Sequence, residues 1–220
     1  MPTHLSTLEV LAVAFSLREE RLCVLLAPGS NPACWVLPGS AVHVEQSFEE
    51  AARQKILLLT GLRETYLEQL YTYGDLDQAQ KQERLISVVY FALLPAPAGL
   101  HGYTQDVEPS AWFPVDKLEG LEKNHPDILA YALRRLRYKL EYSAVGFQLL
   151  PETFSLSELQ QTYEIILAER LDKRNFRRRI LEAGIIEPTS SLRGGEGRPA
   201  RLYRYRPDAV AEVKTRRLFP

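Results

Sequence analysis

Two stretches of this 220-residue chain carry residue types that could do chemistry. The first is Lys173-Arg174-Asn175-Phe176-Arg177-Arg178. Asp172 is a good N-cap, so the stretch reads as a helix that Gly184 ends. Lys173, Arg174, Arg177 and Arg178 would then cover about two turns of one exposed face, with Phe176, Ile180 and Leu181 on the apolar side. Arg174 and Asn175 have the side chains that read guanine and adenine bidentately. Lys173 and Arg178 suit phosphate. The competing explanation is that a basic run is only a solvated face. The second stretch is residues 37–62, LPGSAVHVEQSFEEAARQKILLLTGL. Its acids, Glu45, Glu49 and Glu50, sit before or within the first turn of a helix, where negative charge favours the helix dipole. Further along that helix come Leu57, Leu58 and Leu59.

The elements that must position these residues are legible from pattern. Residues 8–16 and 21–27 read as two strands joined by the polar turn Leu17-Arg18-Glu19-Glu20. Ser47 with Glu50 forms a capping box for a helix over 47–59, and Gly61 stops it. Residues 66–73 and 85–94 are rich in Tyr, Val and Ile and read as strands. Residues 95–110 are a Pro/Gly-rich loop, and 111–118 a strand running into a short helix. This alternation indicates an α/β layered domain. Residues 125–142 form a long amphipathic helix with Ile128, Leu129, Ala132, Leu136 and Leu140 as its apolar stripe. Arg134, Arg135, Arg137 and Lys139 on it are either a solvated face or a brace toward phosphates or the next domain. Ser155 and Glu158 cap a helix over 156–168. Residues 185–189 and 201–205 read as short strands around the basic loop SSLRGGEGRPA; Arg193 and Arg198 in the loop, with Arg201 directly after it, suit a wing against phosphate or the minor groove. Three helices followed by a hairpin is the winged helix-turn-helix order.

Composition fits this plan. The chain is 45% hydrophobic and 25% charged, ordinary for a globular protein, and its net charge is −1. That sum hides an asymmetry. Residues 1–150 carry 13 Lys and Arg against 18 Asp and Glu, whereas 151–220 carry 14 against 10. An acidic body joined to a basic tail domain points to a polyanion partner. Cys23 and Cys34 each sit among apolar neighbours and read as reduced, buried thiols. No CxxC occurs and the histidines are scattered, which argues against zinc. With no apolar run of membrane-spanning length and no signal-peptide pattern, a soluble cytoplasmic protein is expected.

Residues 37–62 resemble the Nudix box, G-x5-E-x7-R-E-U-x-E-E-x-G-U, where U is bulky and apolar. In that box helical carboxylates on one face hold Mg²⁺ against a pyrophosphate. Anchored on Gly39, the register keeps Gly39, Glu45 and Arg53, but Gln54, Leu57 and Leu58 replace the helical acids. Anchored on Thr60-Gly61-Leu62, which also keeps the Ala51-Ala52 packing, Ser40, Gln46, Gln54 and Lys55 replace the Gly, Glu, Arg and first helical Glu. Leu58 and Leu59 then replace the acidic pair. Both registers put leucines where the metal-binding pair belongs, and Lys55 would repel a cation. No catalytic residue, metal or cofactor is therefore expected.

The resemblance extends downstream. LLPETFSLSELQ, LDKRNFRRRI and GRPARLY are similar to the Nudix-related transcriptional regulators, the NrtR family. It implies an N-terminal Nudix-like α/β/α sandwich over 1–122, a linker helix and connection over 123–150, and a winged helix-turn-helix domain over 151–220. It further implies a homodimer that binds a palindromic double-stranded DNA operator and represses genes of NAD metabolism. Its effector would be ADP-ribose or NAD, with Arg53, Gln54, Lys55 and Arg84 as the groups best placed for a diphosphate. Some relatives respond to sugars instead. The alternatives are an active ADP-ribose pyrophosphatase with a basic accessory domain, and a nucleotide-binding module whose tail domain docks protein.

Overall fold

The computed structural model describes residues 6–31, 34–76, 84–95, 110–122, 124–194 and 199–209. The chain divides into two compact units. The first comprises Met1–Ser16, Cys23–Leu94 and Gly99–Ala132; the second comprises Leu17–Leu22, Pro95–Ala98 and Leu133–Pro220.

The first unit is built on a mixed sheet. β1 (Ser6–Arg18) and β2 (Arg21–Pro28) form the expected hairpin. Glu19 and Glu20 turn it with φ of 48° and 57°, the left-handed pair that matches hairpin twist. β3 (Trp35–Val36) pairs with β2, and β4 (Gly39–Ala41) with β1. α1 (Phe48–Thr60) follows, then β5 (Tyr66–Leu76), β6 (Arg84–Leu94) and β7 (Ala111–Pro114). Among the described residues the strand order is β3-β2-β1-β6-β5, with β7 on β2. β1 and β6 run parallel and are central, so both of their faces are buried, and they read as near-continuous apolar runs. β3 and β4 were too short to show in the sequence.

The two faces can be assigned residue by residue. Val10, Ala12, Ala14, Val88, Tyr90, Ala92 and Leu94 pack on Ala51, Ala52, Ile56 and Leu59 of α1. Leu11, Val13, Phe15, Val89, Phe91 and Leu93 point to the opposite face and are also buried. That face meets the start of α2 (His125–Tyr142): Tyr71 stacks on Tyr131 with ring centroids 6.0 Å apart, and the Leu37 amide donates to His125 Nδ1 at 3.0 Å. Helix, sheet and helix make the expected sandwich. A bulge between Gln69 and Tyr71 swaps the facing of β5, so that Leu67 packs toward α1 while Tyr71 reaches α2.

α1 begins and ends as its sequence dictates. Ser47 Oγ accepts from the Glu50 amide, and the Glu50 carboxylate accepts from the Ser47 amide. Gly61, at φ 72°, donates to the Leu57 carbonyl at 2.8 Å. α2 covers the expected range, and its whole apolar stripe is buried. Cys23 is buried, but Cys34 is only half-buried, and neither is in a disulfide. Among the described residues no helix is long and apolar enough to cross a membrane.

The second unit contains a 3-10 helix (Ala144–Leu149), β8 (Phe154–Ser155), α3 (Leu156–Leu167), α4 (Lys173–Glu182), β9 (Ile186–Arg193) and β10 (Ala200–Tyr205). β8, β10 and β9 form a three-stranded antiparallel sheet in that order. The 3-10 helix and β8 have no sequence periodicity and were not expected. They exist because Val145, Phe147, Leu149 and Phe154 bury together with Tyr205, whose ring lies 4.9 Å from that of Phe147. β9 is longer than expected. Residues 190–193, read as loop, pair with the start of β10, Arg193 opposite Ala200 and Leu192 opposite Arg201. Arg198 lies outside the described residues.

Candidate nucleic-acid interface and ligand depression

In the second unit α3 and α4 are joined by a short turn whose geometry is fixed by one carboxylate. Glu164 Oε1 accepts from the Leu171 amide at 2.9 Å and from Gln160 Nε2 at 3.0 Å. Gln160 Nε2 also donates to the Leu171 carbonyl at 3.0 Å. The Leu171 amide, then Gln160 and Arg170, hold the Glu164 carboxyl below its ordinary value. α3 starts on a reciprocal capping box of Ser155 and Glu158 and ends at Ala168 in the left-handed conformation. The far end of α3 is held by Arg137, whose Nε donates to the Ile166 carbonyl at 2.8 Å. Asp172 then caps α4, accepting from the Asn175 amide at 2.8 Å.

α4 buries Phe176 and Ile180 and little else. Lys173 at its first position and Arg174, Asn175 and Arg178 on its outer side are all exposed. Arg178 pairs with Glu182 one turn on, at 3.1 Å, an exposed i,i+4 pair worth only a few tenths of a kcal/mol. Arg177 departs from this face. It is half-buried and its Nη2 donates to Ser157 Oγ at 3.1 Å, bracing α4 against the start of α3. Leu181 is the correction to the expected apolar side: it is 50% exposed, because five residues after Phe176 is about 140° around the helix. Counting the phase from Phe176 would have found this.

On the wing, Arg193 donates to the Glu158 carboxylate and to the Thr153 carbonyl. It therefore ties β9 to the start of α3. Arg201 is exposed. Arg206 closes the other end of the sheet, donating to the Gly184 carbonyl at 2.8 Å and to Asp208 at 2.7 Å.

In the first unit, an open depression of about 450 Å³ lies beside the start of α1, lined by His43, Glu45, Gln46, Glu50 and Gln54. Of the four diphosphate candidates only Gln54 lines it, accepting from Gln46 Nε2 at 2.7 Å. Arg53 is paired with Glu49 at 2.8 Å and donates to the Thr65 carbonyl at 3.1 Å. Lys55 is half-buried on α1, and Arg84 is exposed at the first position of β6. Glu50 is already used as the capping partner of Ser47, whose amide and hydroxyl both donate to its carboxylate and keep it low. Leu59 is buried among Ala12, Ala14, Leu25, Ile56, Ala92 and Leu94, whereas Leu58 is 39% exposed.

Two outcomes follow from this geometry. Leu59→Glu puts an unpaired carboxylate into the core and should cost at least about 3 kcal/mol, while Leu58→Glu should cost under about 1 kcal/mol. Urea denaturation of both variants checks this, and equal losses would contradict the assigned burial. Glu164, with its folded value lowered, contributes stability that is present above 4.5 and lost as pH falls below it. Glu164→Gln should therefore melt lower at neutral pH and show a shallower fall in melting temperature toward acid than wild type, the rest of that fall coming from carboxyls such as Glu50 and Asp208 that are also held low. A variant with the wild-type pH profile would contradict the role of the carboxylate.

The comparisons agree with this architecture. Residues 146–205 match the NrtR DNA-binding winged helix domain. The chain is 36% identical over 216 residues, 93% of its length and 83% of the relative's, to the ADPR responsive transcriptional repressor NtrR of Acinetobacter baylyi. It is also similar to Shewanella oneidensis NrtR in a crystal structure complexed with a 27mer DNA, at 30% identity and a TM-score of 0.79, covering 96% of this chain and 99% of that one. A MutT/nudix family protein from Enterococcus faecalis shares the fold at 20% identity, with a TM-score of 0.67 over 91% of this chain and 86% of its own. The α/β sandwich and the winged helix-turn-helix both have counterparts in these relatives, and the chain belongs to the NrtR family of Nudix-related transcriptional regulators.

Proposed function

We propose that this chain is a repressor that binds a palindromic operator as a homodimer and is controlled by ADP-ribose, with NAD as the second choice of effector. The observation that carries the reading is α4. Its outer face presents Lys173, Arg174, Asn175 and Arg178 to solvent, on a helix-turn-helix followed by a wing. A recognition helix reads base edges from such a face while neighbouring cations hold phosphate. The full-length relative is ADPR responsive, which supports the same effector here. Arg177 and Arg193 serve this surface by bracing α4 and the wing, and Arg198 and Arg201 supply wing charge. Residues 1–122 act as the sensor, 123–150 as the connection and 151–220 as the DNA-binding domain. A cytoplasmic location goes with this role.

The sensor is not a hydrolase on this reading. Leu58 and Leu59 stand where the acidic pair would hold metal, and Lys55 can replace part of the metal's charge on a diphosphate. Gln54, which lines the depression, and with it Arg53, Lys55 and Arg84 form the proposed effector site. α2 supplies a covalent route for the signal, since Ala132 belongs to the first unit and Leu133 to the second. A ligand shifts DNA affinity only by its differential affinity for two states, typically about 1–3 kcal/mol.

The test starts with an operator selected from a random duplex pool by the full-length protein. Arg174→Ala or Asn175→Ala should relax sequence preference and cost about 1–3 kcal/mol, while Arg198→Ala should lower affinity for all sequences and flatten the salt slope by about one unit. ADP-ribose, without metal, should weaken the complex; a response to a pentose alone would make the sensor sugar-responsive. Light scattering should give a dimer, free and on DNA. Separately, no ADP-ribose turnover is expected with Mg²⁺ or Mn²⁺, and turnover near one per second, ordinary for an enzyme, would overturn the non-catalytic reading.

A further inference from the structure

Resting on the DNA-binding reading of α4, we propose that Leu181 reads a thymine in the operator by packing on its C5-methyl group. Leu181 follows Arg174 by seven residues and Arg178 by three, so the three side chains form one ridge along the exposed side of α4. The two arginines belong to the cationic face that draws the helix onto DNA. Leu181 is 50% exposed there, an apolar group on a face otherwise made of Lys, Arg, Asn and Glu. An isolated exposed leucine needs no explanation by itself. This one lies in line with Arg174, a base-reading candidate, and the thymine methyl is the apolar group that the major groove displays. Charge complementarity selects the occupant of this face as a polyanion, and the methyl gives the leucine something to bury against.

The spacing also sets a position. Seven residues at 1.5 Å each separate Arg174 from Leu181 by about 10 Å along the helix. A helix lying in the major groove follows the groove rather than the DNA axis, and side chains spread over about two of its turns meet three successive bases. The contacted thymine should therefore lie about two base pairs from the base whose identity Arg174 governs.

The experiment replaces each thymine of the selected operator, one at a time, by deoxyuridine, which removes only the methyl. Wild type is expected to lose about fourfold in affinity at one thymine per half-site, the loss expected for one buried methyl-sized group. Leu181→Ala, an exposed substitution to the best helix former, should bind the unmodified operator about fourfold or more weakly, keep the wild-type salt dependence, and be indifferent to deoxyuridine at that same thymine. Leu181→Met should restore the methyl sensitivity in part. If no thymine methyl matters to wild type, or if Leu181→Ala remains as sensitive as wild type at every position, the inference is overturned while the regulator reading stands. If wild type selects no sequence from the pool, the regulator reading fails and the inference with it.

Discussion

The carboxylate of Glu164 holds the turn on which the DNA-binding surface depends. α4 buries only Phe176 and Ile180, two side chains on a ten-residue helix. Packing of that extent fixes the axis of a helix weakly, because most helical stability in proteins comes from a broad buried face. The turn therefore does the orienting. Glu164 holds the Leu171 amide, Gln160 holds the Leu171 carbonyl, and Asp172 begins α4 directly afterwards. Arg177 to Ser157 and Arg137 to Ile166 then pin the two helices at their other points of leverage. The cations left over, Lys173, Arg174 and Arg178, are those that no structural duty draws inward.

The sandwich obeys a different constraint. A central strand with both faces buried requires a cover on each, and α1 supplies one of them through Ala51, Ala52, Ile56 and Leu59. The small residues let the helix approach closely, and the larger two fill the space beyond. Leu59 is part of that fill. Leu58, its neighbour in the chain, remains substantially exposed. The two leucines are alike in sequence and unlike in physical role.

Local chemistry settled much of this protein in one dimension. The capping boxes at Ser47–Glu50 and Ser155–Glu158, the cap at Asp172, the left-handed Gly61 and the apolar stripe of α2 are all determined within a few residues of sequence. So are the long strands, β1, β2 and β6 through their largely apolar runs and β5 through its tyrosines. The family resemblance came from the same linear features, read with their order along the chain. What required the tertiary structure was every property set by a distant partner. β8 and the 3-10 helix before it exist only through burial against residues far along the chain. β9 lengthens because β10 pairs with it. Arg53, Arg177 and Arg193, equal to other arginines in the sequence, are taken up by Glu49, Ser157 and Glu158. Leu181 falls outside its expected face because two buried side chains set the phase of α4. Sequence determines which residues can cap, turn and bury; which cations and which leucine remain for a partner is decided by long-range packing, because exposure is what remains after all the other contacts are made.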